Sequence, residues 1–150
     1  MHAVKFLLDT PGARRRRESV HDNVFWRGAE PRLSVCVLAC GRDVSSLLAA
    51  LSASEQSALV EFIVHDDGRC GDDVLAQMQA AAGQVRAAVR IVSSGETLDS
   101  VTARGAAAAH ARTSWVLLLD AAAEADPGLI TAYLATIGKT DGQDRKSTRL

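Results

Sequence analysis

Four short apolar runs mark the chain: Leu33 to Ala39 (LSVCVLA), Glu61 to His65 running into Asp66-Asp67-Gly68, Ala88 to Ser93, and Trp115 to Leu119 ending at Asp120. The first is continuous, as expected of a parallel strand buried on both faces, the third alternates Val89 and Ile91 with polar neighbours, and all four predict strands. The intervals between them carry helical spacing instead. After Gly41, Asp43 is placed to cap a helix with Val44, Leu47, Leu48 and Leu51 on one face. Asp72 or Asp73 is placed to cap a second, with Val74, Leu75, Met78, Ala81 and Ala82 inward. A third is expected from Thr97 to Arg112 with Leu98, Val101, Gly105 and Ala108 inward, and Pro127 suits the first turn of a fourth, bearing Leu129, Ile130, Tyr133, Leu134 and Ile137. Strands alternating with helices at this spacing predict an α/β domain, an open and mainly parallel sheet with helices on both faces. Ligands of such sheets bind at the carboxyl ends of the strands, where Asp66, Asp67 and Asp120 are expected to gather.

The pattern covers residues 33–137. Residues 1–32 lack sustained periodicity and contain Pro11, Gly12, Gly28 and Pro31, so they read as an N-terminal arm or extension, with Val24, Phe25 and Trp26 docking onto the domain. Residues 138–150 read as a disordered tail. Of 17 basic residues 14 are arginine and 3 lysine, yet one of the lysines lies in Asp144 to Leu150, a heptapeptide matching the conceptual translation of a common sequencing-library adapter. Residues from 144 onward are therefore expected to be non-native, and the natural protein to continue past residue 143.

Composition narrows the class of protein more than its chemistry. At 150 residues, 47% hydrophobic content and a net charge of −1, the chain has the makeup of one globular domain with a core and offers no electrostatic case for nucleic acid. Arg14 to Arg17, beside Pro11 and Gly12, reads as a solvated linker. No run approaches membrane-spanning length, and Met1 to Thr10 is too short for a secretory signal, so a cytoplasmic location is expected. The odd cysteine count agrees, with Cys36 a small buried hydrophobe and Cys40 and Cys70 loop thiols rather than zinc ligands. His2, His21, His65 and His110 are scattered, and there is no nucleophile elbow, phosphate loop or dinucleotide fingerprint.

Taken in order, the first apolar run, Val64-His65-Asp66-Asp67-Gly68, the Gly95-Glu96-Thr97 turn, Ala103-Arg104-Gly105 and Trp115 to Asp120 resemble the nucleotide-sugar half of a family 2, GT-A type glycosyltransferase. The resemblance implies an incomplete GT-A, Rossmann-like fold. It implies binding of a nucleotide-diphospho-sugar donor for transfer of the sugar to an acceptor hydroxyl, the acceptor being unknown and no catalytic residue being assigned. Carried over, Asp66 or Asp67 contacts the nucleotide base while the other braces the loop, and Arg104 supports the diphosphate or braces an aspartate loop. Asp120 contacts the ribose or a divalent metal, Mn or Mg, which is weakly held if at all.

Four positions depart from the family pattern. Arg69 stands in place of serine, Gly105 in place of asparagine, and Leu38-Ala39-Cys40-Gly41 in place of Pro-x-Tyr-Asn, which removes an aromatic for base stacking. Ala122 replaces the second aspartate of the metal motif, and Glu124 and Asp126 read as carboxylates favouring the following helix N-terminus. The acceptor side and general base of the family follow the Asp120-type motif, so this chain alone is expected to be inactive. The alternative is a non-catalytic GT-A-like nucleotide-binding or scaffold module.

Overall fold

The computed structural model describes residues 2–4, 18–124 and 126–147. In chain order the elements are β1 (His2–Val4), β2 (Ser19–Asp22), β3 (Leu33–Leu38), α1 (Ser45–Ser52), β4 (Val60–Asp66), α2 (Asp72–Gln84), β5 (Ala88–Ser93), α3 (Ser100–Ala108), β6 (Val116–Asp120) and α4 (Pro127–Ser147). They form an α/β structure around one six-stranded sheet of order β1-β6-β3-β4-β5-β2. Strands β6, β3, β4 and β5 are parallel. Every residue of β3 and β4 is buried, as their place in the middle of the sheet requires, including the polar Ser34, Glu61, His65 and Asp66.

The alternation of side chains along the strands divides the core into two layers. Val35 and Val37 of β3, Phe62 and Val64 of β4 and Leu117 and Leu119 of β6 pack against Leu48 and Leu51 of α1, Met78 of α2 and Ile130 and Leu134 of α4. On the opposite face Cys36, Ile63, Val92 and Val116 meet Ala107, Ala111 and Trp26. From β3 the chain steps through β4 to β5, and then α3 carries it back past β3 to β6. The order of the strands reverses between β3 and β6, and the carboxyl ends of strands at such a point are where open α/β sheets bind ligands.

The amino-terminal segment, read from sequence as an arm, supplies both outer strands. Strand β1 pairs antiparallel with β6, and β2 antiparallel with β5. The segment after β2 is pinned by Asn23, whose amide donates to the carbonyls of Ala82 and Ala87 and accepts from the Val89 N–H. Of the three residues expected to dock, Trp26 is buried while Val24 and Phe25 are exposed. The guanidinium carbons of Arg112 and Arg90 lie 3.8 and 4.5 Å from the Trp26 ring centroid, a double cation–π contact. Arg90 in turn grips Asp22 through two nitrogens and donates to His110 Nδ1, which leaves His110 Nε2 to donate to Glu18 at 2.7 Å.

At the amino edge of the sheet a fully buried carboxylate, Glu61, accepts from the Ser34 hydroxyl, the Arg112 N–H and Arg112 Nε, each at 2.7 Å. With both oxygens hydrogen-bonded and a guanidinium opposite the charge, burial is tolerable.

Helix details differ from the sequence reading. Helix α3 begins at Ser100, because Asp99 accepts from the Thr102 N–H and caps it there. Its buried residues are Ala103, Ala106, Ala107 and Ala108; Val101 is 76% exposed and Gly105 is on the outer side, so neither faces the sheet. An alanine-rich helix has too little contrast in size for its face to be read. Gly71 is the N-cap of α2, with Asp72 and Asp73 inside the first turn, where their charge favours the helix dipole. Asp43 lies one residue before the N-cap of α1 and accepts from the Ser45 N–H. The backbone of α4 continues through residues 138–147, the stretch expected to be a tail; residues 148–150, like Arg14 to Arg17, lie outside the described residues. Among the described residues no helix is long and apolar enough to cross a membrane.

Glu61→Gln keeps the side-chain shape but removes the charge shared by three donors. We expect a loss of about 3 kcal/mol in urea-unfolding free energy, against about 1 kcal/mol for Ser34→Ala, which removes one donor.

Candidate functional site

Strand β4 delivers two carboxylates to the carboxyl edge, and the structure separates their surroundings. Asp66 Oδ1 accepts from the N–H groups of Gly68 and Cys70, both at 3.0 Å, while Oδ2 accepts from the Ser93 hydroxyl of β5 at 2.8 Å. The carboxylate therefore folds the loop back on itself and ties it to the neighbouring strand. Gly68 makes the turn possible: its φ is +93°, and a Cβ there would lie 2.4 Å from the Glu96 carbonyl oxygen. The Leu98 N–H bonds to the Asp67 carbonyl, completing the join to the β5–α3 loop.

Asp67 is only 5% exposed, and its Oδ1 has no hydrogen-bond partner among the described residues. Oδ2 makes a loose contact, 3.5 Å, with Arg69 Nε. The sequence left open which aspartate braces and which is free. In the structure Asp66 has three partners, and the unanswered acceptor belongs to Asp67.

The β3–α1 loop forms the adjoining wall. Cys40 and Gly41 both adopt positive φ, +51° and +82°, and a Cβ on Gly41 would come within 3.2 Å of Arg69 Cβ, so this loop abuts the one after β4. Burial pushes the Cys40 thiol up, and the charges of Asp67 and Asp120 push the same way while those of Arg69 and Arg42 oppose it. Asp67, Asp120, Arg69 and Arg42 thus all lie within electrostatic reach of one thiol. Cys70, deeper in the same region, is pushed up to about 12 by burial and then by Asp66.

Asp120 lies at the same edge: Leu38 stands in register with Asp120 on one side and His65 on the other. With β3 between them, β4 and β6 are about 10 Å apart. Asp120 is exposed, and its Oδ1 accepts from the Ala122 N–H at 2.9 Å. A hard divalent cation takes about six oxygen ligands. Asp120 has one oxygen turned to the backbone, Ala122 offers no side-chain donor, and among the described residues no group of three His, Cys, Asp or Glu is arranged to hold a metal. These residues do not fit a resident divalent ion.

Arg104 is exposed on α3 and makes no hydrogen bond or ion pair among the described residues. Arg42 and Arg69 lie at the edge beside Cys40, and sequence reading did not place them there as ligand groups. Their signal was position, each one residue past a glycine that ends a strand turn. Glu124 is exposed, and Asp126 accepts from the Gly128 N–H at the start of α4.

Beneath the edge, His65 is buried with neither ring nitrogen partnered among the described residues. Burial pulls its pKa below the ordinary 6.5; Glu18, Asp66 and Asp67 oppose this and His110 adds to it.

An open, mostly parallel sheet with helices on its faces and aspartates at the carboxyl edge beside its reversal point places the chain among GT-A or Rossmann-like α/β proteins. It matches the family model for glycosyl transferase family 2 over residues 34–143 and belongs to that family. Comparison with curated proteins and with solved structures gave no match.

Two outcomes follow from the geometry. Gly68→Ala is expected to lower unfolding free energy by at least about 2 kcal/mol, since the left-handed backbone and the contact with Glu96 both resist a methyl group. His65 holds a depressed pKa in the folded state, so the unfolded chain takes up its proton first as pH falls below 6.5. Stability is therefore full above that pH and lost progressively below it; His65→Leu is expected to flatten this part of a stability-against-pH curve measured by urea unfolding.

Proposed function

We propose that the carboxyl edge binds a nucleotide-diphospho-sugar donor and that the chain serves transfer of the sugar to an acceptor hydroxyl. The observation that carries this reading is the buried, unanswered Oδ1 of Asp67. A buried acceptor without a donor costs about 1–3 kcal/mol, and an N–H on the edge of a nucleotide base repays that cost on binding. Asp66 is then a positioning residue that aims Asp67. The Oδ2 of Asp120, on the solvent side, suits a ribose hydroxyl. Arg104 belongs to the reading only through family resemblance, on the diphosphate side, and Arg104→Gln tests it. A cytoplasmic setting, where thiols stay reduced, accords with Cys36, Cys40 and Cys70 all being free.

A second reading, a donor-binding or scaffold module without turnover, is favoured by Ala122 and by the engagement of Asp120 Oδ1 with its own turn. Release of nucleoside diphosphate from nucleotide sugars separates the two: steady release supports the transferase, binding without release the module.

Calorimetric titration with UDP, GDP and ADP tests the site itself. Asp67→Asn is expected to weaken the best of the three about tenfold, or about 1.4 kcal/mol, while Glu124→Ala leaves affinity unchanged. Equal losses for both substitutions would remove Asp67 from the role.

A further inference from the structure

The residues around Asp120 do not suit a divalent ion, yet a diphosphate placed beside Asp67 and Asp120 meets two carboxylates and needs a countercharge. We propose that the guanidinium groups of Arg42 and Arg69 supply it, holding the diphosphate in place of a metal and making nucleoside diphosphate binding independent of divalent cations. The inference rests on the donor-site reading above.

The two side chains leave the backbone at neighbouring points. Arg42 follows Gly41, Arg69 follows Gly68, and the near-contact of Gly41 with Arg69 Cβ locks the two loops side by side. The Cys70 sulfur, 4.0 Å from the Arg42 carbonyl oxygen, packs into the same join. Arg69 is 56% exposed along its side chain and meets Asp67 through Nε alone at 3.5 Å, so its two terminal nitrogens stay available to a ligand. Arg42 is exposed and makes no ion pair among the described residues. Both guanidinium groups present paired donors that match phosphate oxygens. The unanswered Asp67 Oδ1 beside them is the independent sign that a ligand completes the site. The departure of residue 69 from serine and of residue 122 from aspartate then belong together: a cation is gained in one loop where a metal ligand is lost in another.

The test is calorimetric titration of the full chain with UDP, GDP and ADP and with their nucleosides, in EDTA and in manganese. For the best diphosphate, affinity is expected to agree within about twofold in the two buffers and to weaken as salt screens the arginines. Arg42→Gln, which touches neither aspartate, should weaken the diphosphate about tenfold while leaving the nucleoside unchanged. Arg69→Lys should retain more affinity than Arg69→Gln, and Ala122→Asp should make affinity respond to manganese. Diphosphate binding that requires manganese in the wild-type chain, or that is unchanged in both Arg42→Gln and Arg69→Gln, overturns the inference while leaving the donor site standing. Failure of nucleosides and diphosphates alike to bind in either buffer overturns both.

Discussion

The carboxylate of Asp66 fastens the whole working edge of the molecule. Three donors from two segments converge on it, two backbone N–H groups of its own loop and the hydroxyl of Ser93 on the next strand. Charge-assisted bonds of this kind are about twice as strong as neutral ones, and here they act together to hold a turn that only glycine can make. With Asp66 engaged in the loop, the adjacent Asp67 is left buried, its Oδ2 loosely against Arg69 and its Oδ1 without a partner among the described residues. One carboxylate braces the loop, and its neighbour keeps an acceptor without a partner among the described residues.

The opposite edge of the sheet solves a different problem with the same group. Glu61 sits where the chain enters the buried sheet, and its charge is matched by Arg112, whose other side stacks on Trp26. A single arginine therefore joins the sheet's amino edge to the amino-terminal segment, and Asn23 fixes that segment against β5 and the end of α2. Anchored at both ends of its strands, the sheet holds the loops at its carboxyl edge at fixed separations.

The parallel strands were legible because burial on both faces demands short, mainly apolar runs between turn residues, and polar residues inside them such as Ser34, Glu61 and Arg90 do not break the pattern: Ala88–Ser93 was read at its observed bounds, and the other three to within one residue. The outer strands were not. His2–Val4 and Ser19–Asp22 are short, Ser19–Asp22 is exposed throughout, and what makes them strands is a partner distant in sequence. The acidic edge was legible as a set of residues, since aspartates at the ends of apolar runs must emerge together. The division of labour between Asp66 and Asp67 was not, because it depends on Ser93, 27 positions away. Arg42 and Arg69 escaped for a similar reason: only the contact between Gly41 and Arg69 reveals that their loops share a wall.

The two outer strands also set an order of events for the nascent chain. Strands β1 and β2 leave the ribosome before the rest of the sheet, but their partners are β6 and β5. Neither can be paired during the synthesis of β3 and β4, and β1 must wait until Leu118 has emerged. These two strands thus wait for partners made well after them, and until then β5 and β6 present open hydrogen-bonding edges of the kind through which partly folded chains associate. The clasp of Trp26, Asn23 and Arg90 is what ends that exposure on the β5 side, converting a late arrival into a permanent border.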